Sequence, residues 1–319
     1  MSNMTEPITK TLAPFDDDAA DTTLRSSDGA LFHVFRGILI FHSPFFRSLF
    51  SLPAYPDSNN HKDGRPIVDM QEDYPTLDLL LRFCYPMAPP TISSKETFCD
   101  VMFAAQKFEM SDLYDKIVDS HVGDRLLRTL PLEYYDLAHR FRLDLLGRKS
   151  AKGTLYHHLE SILDQARGIT FTHMSANSYN RLLHYHTSCR DACRKLVDSS
   201  DFSWLPNSGT YMFLSCRSCK PAGLVPVKIT PKGAPAVATL SVPNRQWWFN
   251  HVKRIREDFS VCGPSAVATN HYKQALQDVA ASGCTACRNA AIDDLQNFSA
   301  ALDNQIESEI SKIKLNIDF

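Results

Sequence analysis

The chain has 319 residues, 34 Lys and Arg against 36 Asp and Glu for a net charge of −2, and 44% hydrophobic residues. That length suits about two or three domains, the composition supports buried cores, and the balanced charge argues against a nucleic-acid or membrane-surface binder. Residues 1–21 show no basic segment leading into an apolar one, no run approaches the ~18 apolar residues of a membrane span, and nine cysteines without a leader indicate a reducing compartment, so the expectation is an intracellular protein, cytoplasmic or nuclear.

Residues 1–20 are polar, carry the run Asp16-Asp17-Asp18, and read as a disordered tail. Asp28-Gly29 signals a tight hairpin, since glycine accepts the positive φ such a turn needs. Leu31, Phe32, Val34 and Phe35 supply a β-prone run, and Ile38, Leu39 and Ile40 an apolar cluster. Ser43-Pro44 reads as a helix cap and first helical position, launching Phe45, Phe46, Leu49 and Phe50 at helical spacing. Pro53, Pro56, Asn59, Asn60, Gly64 and Pro66 mark a surface loop.

These motifs, in this order, resemble a BTB (POZ) domain. The resemblance is carried by Phe32-x-Val34-x-Arg36-x-Ile38-Leu39, Ser43-Pro44-Phe45-Phe46, Leu49-Phe50, Pro66–Met70, Thr76–Tyr85 and Ala104–Met110, and covers roughly residues 21–122. The family usually has His-Lys where this chain has Phe35-Arg36. The resemblance implies a small sheet capped by helices and non-covalent assembly with proteins: with itself, with a cullin scaffold of a ubiquitin ligase, or with a transcription cofactor. The short tail before the first strand argues against the swapped dimer of some members. The loop from Pro86 to Lys95 holds no acidic residue before Glu96, so the hydrophobic-x-acidic motif of many cullin-binding members is missing.

From Pro131 the pattern turns helical, with Tyr134, Leu137, Ala138, Phe141 and Leu145 on one face. Residues 123–200 resemble the BACK-type helices that often follow a BTB domain, and the whole resembles fungal BTB proteins. After Asp201, prolines and glycines interrupt the chain. Tyr211–Leu214 and Leu224–Val227 read as short strands, Arg245–Asp258 as a helix, and two more helices follow at about 265–281 and 288–315. The expected class is α+β: a BTB fold at 21–122, a BACK-like extension at 123–200, and a mainly helical region at 201–319. No internal repeat of solenoid period is visible.

Two C-x2-C pairs, Cys216-Arg217-Ser218-Cys219 and Cys284-Thr285-Ala286-Cys287, offer the four thiolates of a closed tetrahedral structural zinc site. Residues 220–283 separate them, far more than the ~15–20 of common zinc modules. Unliganded thiols and redox use are the alternatives. His186, Cys189 and Cys193 share a helix face with Leu182 and Leu196, which reads as a core seam. The His157-His158 pair points in divergent directions on a helix. Lys253, Arg254 and Arg256 read as a solvated face beside Glu257 and Asp258. Trp247-Trp248 offers an exposed anchor, with one ring in the core. No nucleophile elbow, Gly-rich phosphate loop or H-E-x-x-H is present, and twelve glycines leave little room for a backbone-lined phosphate site. The expectation is a non-enzymatic interaction module, a scaffold or adaptor. The rivals are a cullin-dependent substrate adaptor and a zinc- or thiol-dependent activity in the C-terminal region.

Overall fold

The computed structural model describes residues 13–52, 61–62, 64–168, 170–198, 201–206, 208–219, 224–229, 237–243, 245–261 and 271–319. The chain divides into two compact units, Met1–Gly123 and Asp124–Phe319. The segments 123–200 and 201–319, expected separately from the sequence, therefore fall almost wholly within one unit.

In the first unit, β1 (Thr22–Arg25) pairs antiparallel with β2 (Leu31–Val34). β1 also pairs in parallel with β4 (Arg65–Asp69), which pairs antiparallel with the short β3 (His61–Lys62). Among the described residues the sheet order is β2-β1-β4-β3. The hairpin is longer than a two-residue turn, because the last pair is Arg25 with Leu31. Its loop is held by the Ser26 side chain: the Ala30 N–H donates to Oγ at 2.9 Å, and Gly29 takes φ +86°.

Helices α1 (Arg36–His42), α2 (Pro44–Ser51), α3 (Tyr74–Cys84), α4 (Lys95–Lys107) and α5 (Tyr114–His121) accompany the sheet. Three begin on side-chain caps: Ser43, Asp73 and Ser94 accept from the N–H groups of Phe46, Thr76 and Thr97 at 3.0–3.1 Å. Each satisfies a backbone donor that the first helical turn leaves unpaired. Leu24, Phe32, Phe46, Leu77, Leu81, Phe98, Met102 and Ile117 form the buried interior. The tail expectation needs correction at residues 13–20. Phe15 is 1% exposed and packs edge-on against Phe32 and Tyr85, at 5.7 and 5.3 Å; apolar burial of an aromatic ring outweighs the polarity of its neighbours. Residues 1–12 lie outside the described residues.

The second unit begins with α6 (Asp124–Thr129), α7 (Pro131–Phe141), α8 (Asp144–Thr154), α9 (Leu159–Gly168) and α10 (Ala176–Asp198). Then come α11 (Met212–Ser215), the antiparallel hairpin β5 (Leu224–Ile229) and β6 (Ala238–Pro243), α12 (Gln246–Val261), α13 (Tyr272–Ala281) and α14 (Thr285–Lys312). Two apolar clusters fill it. One gathers Leu132, Tyr135, Ile162, Leu182 and Leu315. The larger joins Cys189 and Cys193 of α10, Trp248 and Ile255 of α12, and Leu295, Phe298, Leu302 and Ile306 of α14.

Two further expectations are corrected here. Tyr211–Leu214 is not a strand: Met212–Ser215 is a short helix. Its first N–H, on Met212, donates to Asp294 of α14 at 2.6 Å, and the carbonyls of Phe213 and Leu214 accept from Arg245. Both ends are thus satisfied by residues distant in sequence, so a four-residue helix persists where propensity favours a strand. The Trp247-Trp248 pair is no exposed anchor, since the two residues are 4% and 0% exposed. Trp248 stacks on Phe213 at 3.7 Å and meets Phe298 edge-on at 4.7 Å. Burying both faces of so large a ring is worth more than leaving it at the surface. No helix among the described residues is long and apolar enough to cross a membrane.

Candidate metal centre

The two cysteine pairs converge. Their four sulfurs lie within 4.8 Å of one another, so Cys216, Cys219, Cys284 and Cys287 can together hold a metal ion. Among the described residues this is the one group of His, Cys, Asp or Glu side chains with that property. The first pair sits at the end of α11, with Cys216 as its C-cap residue. The N–H of Ser218 points back to the Cys216 sulfur at 3.4 Å, an arrangement that folds the C-x2-C segment so both sulfurs face the same way.

The second pair is set by a chain reversal. α13 ends at Ala281, and Gly283 takes φ +68° just beyond it, the left-handed position that glycine occupies without steric cost. Cys284 then becomes the N-cap of α14 and Cys287 lies in its first turn. Both cysteines thus sit at the N-terminal, positive end of the α14 dipole.

Cys216 and Cys219 are 3.8 Å apart at sulfur, Cys216 and Cys284 3.8 Å, and Cys219 and Cys287 3.2 Å. All are too long for an S–S bond of ~2.0 Å. Cys216, Cys284 and Cys287 are buried, while Cys219 is partly open. Burial raises the Cys216 thiol, but N–H groups of Ser218 and Cys219 and the neighbouring thiols outweigh it and bring it down to about 6. Burial drives Cys219 and Cys287 the other way, upward. One thiolate at Cys216 stabilised by its neighbours is the state a cation would complete by displacing their protons.

A cavity of about 420 Å³ lies beside the cluster, lined by Cys219, Cys284, Arg245, Trp247, Gly283 and neighbours. Arg245 is 2% exposed and donates to the carbonyls of Phe213, Leu214 and Cys216. The sequence reading passed over it, and nothing in the sequence around it marks an arginine before a helix as a buried neighbour of cysteines.

The other candidates resolve as packing. His186, Cys189 and Cys193 are fully buried, and the His186 ring meets the His157 carbonyl at 3.1 Å. Burial raises the Cys189 and Cys193 thiols to about 11 and 12, which makes them unreactive. Lys253 faces Glu257 at 3.8 Å and Arg254 meets Asp278 of α13 at 2.5 Å, so these two cations each face a carboxylate.

No curated protein matches the chain. The model of the BTB/POZ domain family matches residues 14–122. The match covers the strands and α1 to α5 described above and reaches back to the buried Phe15. The family is one of protein-interaction domains without catalytic activity. Residues 14–122 of this chain are a BTB/POZ domain, a module for protein–protein association.

Proposed function

We propose that the chain is a non-enzymatic scaffold or adaptor, in which the BTB domain associates with itself or another protein and the second unit is built around one structural zinc ion. The BTB/POZ match over residues 14–122 supports the first half of this reading. The convergence of four sulfurs from two distant C-x2-C pairs supports the second. A zinc ion bound tetrahedrally at Zn–S of ~2.3 Å requires sulfur–sulfur edges of about 3.8 Å, and two of the observed separations are 3.8 Å. Zinc suits four thiolates because it is soft enough for sulfur and has no geometric demand that a tetrahedron violates. A closed four-sulfur site leaves no open position for substrate, which fits a structural role.

Size-exclusion chromatography with light scattering, alongside affinity capture against a purified cullin, tests the association half. A self-associated species or a captured cullin supports it and distinguishes scaffold from ubiquitin-ligase adaptor. A strict monomer that captures nothing reproducibly removes it. Metal analysis of protein prepared without chelators tests the other half: about one zinc per chain is expected, and metal-free, fully folded protein rejects the site.

A further inference from the structure

Four thiolates around one Zn²⁺ carry a net charge of two minus, and burying that charge is costly unless positive charge stands nearby. The guanidinium of Arg245 is 2% exposed. It donates to the carbonyl of Cys216, the first residue of the first pair, and to those of Phe213 and Leu214 just before it. It also lines the same cavity as Cys219 and Cys284. Arg245 immediately precedes α12, and Cys284 caps α14, so the positive ends of two helices adjoin the same place.

We propose that Arg245 is the counter-charge of the four-cysteine site, a positioning residue that sets its metal affinity by offsetting thiolate charge while its donors hold the Cys216 segment in place. This rests on the zinc reading above. Arginine suits the task because it stays protonated when buried, and its planar fork serves several acceptors at once. A purely structural arginine at this point would act through its hydrogen bonds alone. A counter-charge acts through its sign, so the two roles separate by substitution.

The experiment begins with the full-length wild-type chain, its zinc content measured and its zinc affinity read by competition with a chromophoric chelator. Absence of bound zinc there overturns the zinc reading itself, and this proposal with it. With zinc bound, R245K and R245Q are compared. Lysine keeps the charge and loses the fork; glutamine keeps a donor and loses the charge. Loss of a group that supports metal ligands from behind typically costs 10–100-fold in metal affinity. We expect about that loss for R245Q and a threefold change or less for R245K. In Co²⁺-substituted protein, the thiolate-to-cobalt charge-transfer band of R245Q should move to longer wavelength, because sulfur electrons are bound less tightly once the cation is gone. R245Q with wild-type affinity and an unshifted band overturns the proposal. So does R245K weakened as far as R245Q, and R245K decides the matter alone should R245Q fail to fold.

Discussion

The sulfur of Cys219 lies 3.2 Å from that of Cys287, 68 positions further along the chain. The β5–β6 hairpin, α12 and α13 lie between the two pairs in sequence, so the pairs meet only where that intervening chain folds back on itself. The contact therefore reports the fold of the second unit as a whole, and a metal bound there stabilises that fold by its full binding free energy.

Substituting C284S and C287S together removes half the ligand set. Structural zinc contributes ~10–16 kcal/mol in small zinc modules at neutral pH, as large as the whole ~5–15 kcal/mol stability of a typical domain. The second unit of the double variant should lose its cooperative thermal transition while the BTB unit retains its own. Circular dichroism melts with zinc analysis check this, and adding a strong chelator to the wild type should reproduce it.

His251 is fully buried against Trp248 and Phe298, and neither ring nitrogen has a hydrogen-bond partner among the described residues. Burial, with Arg254 and His271 adding to it, pulls its pKa from 6.5 down to about 3. The folded state refuses a proton that the unfolded chain accepts below pH 6.5, so stability falls as pH drops from 6.5 towards 3. One pH unit into that window, at pH 5.5, the loss is about 1.4 kcal/mol. Urea denaturation at pH 7.5 and 5.5 should show wild type losing that much more than H251F, whose cysteines respond to acid identically.

Ser43 caps α2 through Phe46 and also donates to the Phe108 carbonyl at 2.5 Å, in a fully buried setting. S43A removes the cap and strands a buried acceptor, costing about 2–3 kcal/mol in the BTB unit. Chemical denaturation of the variant measures it. S43T, which keeps the hydroxyl, should lose less.

Two glycines of α8 should answer differently to alanine. A Cβ at Gly153 would collide with the backbone carbonyl oxygen of Leu127, whereas one at Gly147 meets the terminal methyl of Ile317 at 2.7 Å. Backbone cannot step aside as a side-chain end can. G153A should cost ~1–3 kcal/mol, and G147A clearly less, as judged by the denaturation midpoints of the two variants.

Much of the first unit was legible because its signals are local. Ser43-Pro44 and the Tyr74 helix each carry their cap within a few residues, and Leu24 and Phe32 sit on short strands joined by a loop. The cysteine pairs and their joint use were legible from ligand chemistry, but the way they meet was not, since it depends on where the chain turns at Gly283. Non-local partners explain the misreadings. The helix at Met212–Ser215 is capped by Asp294, 82 positions away, and held at its other end by Arg245. Trp247 is buried although the sequence offered it as a surface anchor, because its ring is needed beside Phe213 and Trp248. Arg245 itself gave no signal, for its role comes entirely from what surrounds it.

The order of the cysteines along the chain also has a bearing on synthesis. Residues 14–122 leave the ribosome before the second unit and carry the BTB fold among themselves. The cluster has only half its cysteines until Cys284 has emerged, more than 60 residues after Cys219. A nascent chain thus presents its association module before the four cysteines of the second unit can come together. Partner choice by the BTB domain can begin on the ribosome, ahead of the segment that completes the four-sulfur cluster.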